Sequence, residues 1–173
     1  MGTYPAGNIV KLTPSDLSAS AYTEGDIIFA KNEIKNAVRT NGGCSLLHTV
    51  TAFIEGYSTN DDLVLLFFDN STDLGEPAAD PASDITADEF RTASPIGMLN
   101  LNGGTSVTAI ASGGLYSNNG VKQNSAEYGA APLFIKAAPG SSSIWVAMIQ
   151  PAGTLDLTDT DSISLTFGFQ YLG

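Results

Sequence analysis

Basic residues are scarce in this chain. Seven lysines and arginines stand against eighteen aspartates and glutamates, a formal net charge of −11. Phosphate backbones are bound by Lys and Arg that displace counterions, and anionic bilayers attract polybasic segments, so neither nucleic acid nor a membrane surface is an expected partner. Cysteine and histidine are scarcer still. Cys44 is alone, which excludes an internal disulfide, and with His48 the only histidine no Cys/His set stands at zinc-ligand spacing. Such a chain suits a reducing compartment. Long apolar runs are also missing: the longest, Leu63 to Phe68, falls far short of the ~20 residues of a membrane span. The start, Met1-Gly2-Thr3-Tyr4-Pro5, has neither the charged n-region nor the apolar stretch of a signal peptide. The expectation is a soluble protein that is neither anchored nor exported by a classical route, with no cofactor.

What the chain does have is strand periodicity. From Ser162 to Leu172, Ile163, Leu165, Phe167, Phe169 and Tyr171 alternate with Ser164, Thr166, Gly168 and Gln170. Successive side chains of a strand point to opposite faces, so this segment has one apolar face and one small polar face. Further short apolar segments run from Asn8 to Leu12, Asp26 to Ala30, Cys44 to Glu55, Leu63 to Asp69, Ile96 to Leu101, Val107 to Ala111, Leu133 to Lys136 and Ile144 to Ile149. Between them lie Asn41-Gly42-Gly43, Ser58 to Asp62, Asn102-Gly103-Gly104, Ser117 to Gly120 and Pro139 to Ser143, composed of residues that supply positive φ and local side-chain hydrogen bonds. Gly113-Gly114 reads as another hairpin turn. Eight or nine short strands so punctuated, in a chain of 173 residues, predict a single all-β domain, a jelly-roll-like sandwich over residues 8–173 preceded by an N-terminal arm at 1–7.

Two segments break the strand pattern. Thr86-Ala87-Asp88-Glu89 is a capping box and predicts one helical turn within a long connection. Ala30 to Arg39 spaces Lys31, Lys35 and Arg39 four apart, as on a helix face, but β-branched Ile34 and Val38 favour an extended chain.

No catalytic constellation stands out. His48 falls in phase with Leu46, Val50, Ala52 and Ile54 and is expected to be a partly buried histidine with a hydrogen-bond partner. Cys44, four residues earlier on the same strand, would lie about 13 Å away by strand rise, too far for a thiol–imidazole pair. The acids concentrate between Asp69 and Glu89, seven with no base among them, and again at Asp156, Asp159 and Asp161. They read as solvated loop charge, with a weak structural calcium site as the sharper alternative. Gly103-Gly104 and Gly113-Gly114 lack the Lys-Ser/Thr and helix of a phosphate loop. Trp145 sits in a run apolar on both faces, which fits packing between sheets or, as the sharper reading, a subunit contact. Lys31, Lys35 and Arg39 gather three of the seven bases within nine residues, a place where an acidic protein partner would dock.

Several stretches in order resemble a family of small structural proteins of tailed bacteriophages, of the capsid decoration or cement type. They are Glu33 to Arg39 running to Asn41-Gly42-Gly43, Leu63 to Asp69 followed by Leu74-Gly75, Ile96 to Leu99 after Asp84–Phe90, Ser143 to Ala147, and Leu165 to Phe169. The similarity spans most of residues 9–172, with departures in the Ser112–Gly129 connection and in acidity. It implies a non-enzymatic protein on the exterior of a virion, made in the host cytoplasm, that binds major capsid protein subunits as a homo-oligomer, trimers first by capsid symmetry. Contact residues would be Tyr4 and Pro5 in the arm, Lys31, Lys35 and Arg39 in the basic stretch, and Trp145. The rival is a carbohydrate-binding or lectin-like module, with Tyr116 and Tyr128 as the sugar-stacking candidates, or a tail or fibre component.

Overall fold

The computed structural model describes residues 6–18, 21–55, 62–71, 74–75, 77, 84–102, 107–110, 113–118, 131–152, 155, 157 and 163–172. Among these residues ten strands form two antiparallel sheets: β1 (Gly7–Leu12), β2 (Ile27–Ile34), β3 (Cys44–Glu55), β4 (Asp62–Phe68), β5 (Pro95–Asn102), β6 (Val107–Ile110), β7 (Gly113–Asn118), β8 (Leu133–Lys136), β9 (Ile144–Ala152) and β10 (Ile163–Leu172). One helix among the described residues, α1 (Ala87–Thr92), lies between β4 and β5.

The first sheet runs β1-β10-β3-β7-β6, with β8 also on β3, and the second runs β2-β9-β4-β5. The pairings nest: β1 with β10, β2 with β9, β3 with β8, β4 with β5. A long antiparallel ribbon rolled over on itself gives this order, which defines a jelly roll. The β6–β7 hairpin is an insertion in the connection from β5 to β8. It shares one edge of β3 with β8: β8 pairs Cys44 to Leu47, and β7 pairs Val50 to Glu55.

The alternation in the sequence explains the layering. Ile163, Leu165, Phe167 and Phe169 of β10 are buried, while Ser164 is exposed. They meet Leu63, Leu65 and Phe67 of β4 across the sandwich, and Phe67 stands edge-on to Phe167 with ring centroids 6.2 Å apart, a favoured aromatic geometry. The second sheet has core on both sides. Ile144, Val146 and Met148 point to the main core, whereas Ala147 and half-buried Trp145 join Phe68, Leu74, Ala93, Ile85 and Phe90 in a second cluster beneath α1. The expected placement of Trp145 between the sheets is therefore corrected. It packs on the outer face, because the helical connection supplies a third layer there.

The helix forms where the capping box predicts it. Thr86 Oγ1 accepts from Glu89 N at 3.2 Å, and Glu89 Oε2 accepts from Thr86 N at 2.8 Å. Gly113-Gly114 is not a turn but the start of β7, inside the stretch Ser112–Gly129 expected to be a connection. Gly113 is there because the Phe53 ring lies against it; a Cβ would stand 2.6 Å from Phe53 Cζ.

The β1–β2 connection guards an edge. β2 slips register against β9 between Ile27 and Phe29 and again between Phe29 and Asn32, which takes Ala30 out of the regular ladder. Asp16 Oδ2 accepts from Ala30 N at 3.0 Å, and its Oδ1 accepts from Asn32 Nδ2 at 2.6 Å. A buried backbone N–H needs such a partner.

Candidate docking surfaces

β3 and β10 fall out of step at one place. Gly168 is opposite Thr49 and Phe169 is opposite Leu47, so His48 is an extra residue, a β-bulge. The bulge shifts the phase of β3: Leu47 is buried before it and Val50, Ala52 and Ile54 after it. His48 is consequently exposed on the outer face, not partly buried in phase with Val50 as the plain alternation implied. It does have a partner, with Nε2 2.6 Å from Gln170 Oε1. Around the bulge lies an open depression of about 710 Å³, lined by Gly7, Asn8, Ile9, His48, Thr49, Gly168 and Phe169. Gly168 keeps it open, since a Cβ there would fall 2.4 Å from Thr49 Oγ1.

The outer face of the first sheet is otherwise floored by small polar residues and carries little charge. Its six strands contain one acid, Glu55, although the chain has eighteen, and two lysines, Lys11 and Lys136. Four of the five large hydrophobic side chains exposed among the described residues stand on this face: Ile9 (72%), Phe134 (54%), Leu172 (39%) and Phe53 (36%).

The basic residues do not form one patch. Lys31 lies half-buried on β2 and its Nζ donates to the carbonyl of Ser71, so it ties the strand to the β4–β5 connection. Lys35 and Arg39 are exposed on the turns after β2, with Lys35 Nζ 3.9 Å from Glu33 Oε2. Those turns are firmly held. Asn36, at φ +56°, offers its carbonyl to Tyr171 Oη at 3.0 Å and to Asn8 Nδ2 at 3.2 Å. Ser45 Oγ donates to Ala37 O at 2.7 Å, and Val38 N and Gly42 N donate to Ser142 O and Ser141 O. Lys35 and Arg39 thus project from a braced end of the sandwich, which also holds the start of β1 and the end of β10.

Tyr4 and Pro5 lie outside the described residues, as do Tyr128, Asp73, Glu76, Asp80, Asp156, Asp159 and Asp161. Ala6 and Gly7 belong to the sheet, since Tyr171 N donates to Ala6 O at 2.9 Å and Gly7 pairs Gln170. Tyr116 is fully buried, so it cannot stack on a sugar; its strand was missed, and with it the inward direction of the ring. The two acids of α1 make local contacts. Asp88 pairs Arg91 at 3.0 Å, and Glu89, held below the ordinary glutamate range by its hydrogen bonds from Thr86, closes the cap. Among the described residues no three His, Cys, Asp or Glu side chains are placed to hold a metal, and no helix is long and apolar enough to cross a membrane.

No family model and no curated protein matches the chain. Among solved structures it is similar to a chain from Desmodium yellow mottle tymovirus (12% identity, TM-score 0.28, 98% of this chain and 87% of that one). It is similar also to one from a mud crab tombus-like virus (12%, 0.29, 98% and 92%) and one from sacbrood virus of honeybee (11%, 0.27, 96% and 67%). TM-scores this low establish neither a common fold nor a common role. The jelly-roll assignment rests on the strand order.

Proposed function

We propose that this chain is a non-enzymatic structural protein of a virion, which decorates and cements a phage capsid by binding major capsid protein subunits. The observation that carries this reading is the nested strand order, because jelly rolls are the frame of capsid and lectin domains, and the lectin alternative loses Tyr116 to the core. The order of motifs resembling tailed-phage head proteins supports the same reading. The braced end bearing Lys35 and Arg39 is the capsid-facing end, where two exposed bases on a rigid loop meet an acidic protein surface at low conformational cost. Trp145 and Lys31 act from within, the first fixing the helical connection and the second tying it to β2. Repeated copies make weak contacts sufficient.

Co-sedimentation with mature heads lacking this protein, across a salt series, tests the proposal. The expected result is saturable binding at a fixed ratio to the major capsid protein, weakened by salt and by Lys35→Glu with Arg39→Glu. Folded protein that stays in the supernatant at every salt concentration refutes it.

A further inference from the structure

Among the described residues nothing covers the outer face of the first sheet, and its composition runs against that of the whole protein. On a molecule of net charge −11, most surfaces repel a second copy. This one contains a single acid among its strands and carries four of the five exposed large apolar side chains of the described residues. Its groups are also arranged unevenly along β3. Leu46 and Phe134 are opposite each other near one end, with Lys136 opposite Cys44 just beyond. Phe53 and then Glu55 occupy the other end.

We propose that a second copy of this chain docks there, first sheet against first sheet, about a two-fold axis lying between the faces and perpendicular to the strands. That operation lays β3 of one copy antiparallel over β3 of its partner. It sets Phe53 over Leu46 beside Phe134, and Glu55 over Cys44 beside Lys136, and each contact occurs twice, as an isologous interface requires. Ser164, Thr166 and Gly168 between them are small enough for the two faces to approach closely. The size lies at the low end of what suffices: the twelve residues of β3 extend about 40 Å, the six of β1 about half as far, and four strands span about 19 Å, a footprint of roughly 600 Å² against the ~600–1,000 Å² per partner of a standard interface. The two-fold pairing takes the place of the trimer expected from capsid symmetry. It uses a different surface from the braced end and stands whether or not that end binds a capsid.

Sedimentation equilibrium of the purified full chain at micromolar concentration is the experiment. Wild type is expected to be a dimer. Phe134→Glu, at a side chain already more than half exposed, is expected to weaken it by roughly thirtyfold or more with an unchanged thermal melt of the monomer. Glu55→Lys and Lys136→Glu are each expected to weaken it by about fivefold, and the double variant to return near wild-type affinity. A monomeric wild type overturns the proposal. A dimer indifferent to Phe134→Glu, or a charge-exchanged double variant no better than the singles, overturns this arrangement of it.

Discussion

The two sheets show their outer faces to different surroundings, and their sequences differ accordingly. Outside the second sheet, the β4–β5 connection and α1 lay Phe90, Ile85 and Leu74 over Phe68, Ala147 and Trp145. Both faces of β4 and β9 are therefore apolar at that end. Outside the first sheet no described element covers β10, β3 or β1, and the outward residues are Ser164, Thr166, Gly168, Thr49 and Thr51, with a few apolar side chains left in the open. Where strands alternate, one face is left for solvent or another molecule. Where they are continuously apolar, the chain brings its own third layer.

The strongest way to break this comparison is to cut into the covered face. Phe68→Ala removes a ring that is 2% exposed and stands edge-on to Phe90 at 5.9 Å. It should cost about 3–5 kcal/mol in urea unfolding, and a loss below about 1 kcal/mol would mean that α1 is not packed as a third layer. The bare face has one position of real sensitivity, the bulge. Gly168→Ala, meeting Thr49 Oγ1, should cost about 1–3 kcal/mol by the same assay; Thr49→Gly in the same chain should restore most of it, and additive losses would show that the two do not touch.

Thr86→Ala opens the cap of α1 and should lower stability by about 1 kcal/mol, visible also as faster hydrogen exchange at Glu89 and Phe90. The cap is sensitive to pH through Glu89. Its carboxyl is held below the ordinary range by the Thr86 hydroxyl and N–H, so the contribution is complete above the unfolded glutamate value and is lost as pH falls through the depressed one. An acid titration of wild type against Thr86→Ala should show the two curves converging as pH falls. Smallest of all, Thr166→Ala on the bare face should change the unfolding free energy by less than about 0.5 kcal/mol. A larger loss would show that this face is already part of a packed interior.

Much of this architecture was legible before any coordinates. The alternation of Ile163 to Tyr171 predicted both faces of β10, and the capping box placed α1 within the right connection. Other features escaped because their cause is not local. Gly113-Gly114 reads as a turn by composition, and only the ring of Phe53, sixty residues earlier in the chain, explains why glycine serves within a strand. The phase of β3 changes at His48 through a bulge against β10, and a single strand shows no trace of the register of its partner. The side taken by Trp145 depends on where α1 lands. The basic spacing of Lys31, Lys35 and Arg39 suggested a common face, but the strand ends at Ile34 and the turns beyond it separate them.

The nested pairing of strands also sets an order of events for a growing chain. Gly7 finds its place opposite Gln170, and Leu12 opposite Leu165, so β1 leaves the ribosome long before its neighbour exists. The innermost pair, β4 with β5, is available first, and closure must proceed outward from it. Folding dominated by such distant pairings is slow, and meanwhile β1, with Ile9 on one side and Val10 on the other, travels as an unmatched segment. A chain of strong negative charge gains from this delay, since mutual repulsion keeps half-finished molecules apart until the last strand arrives.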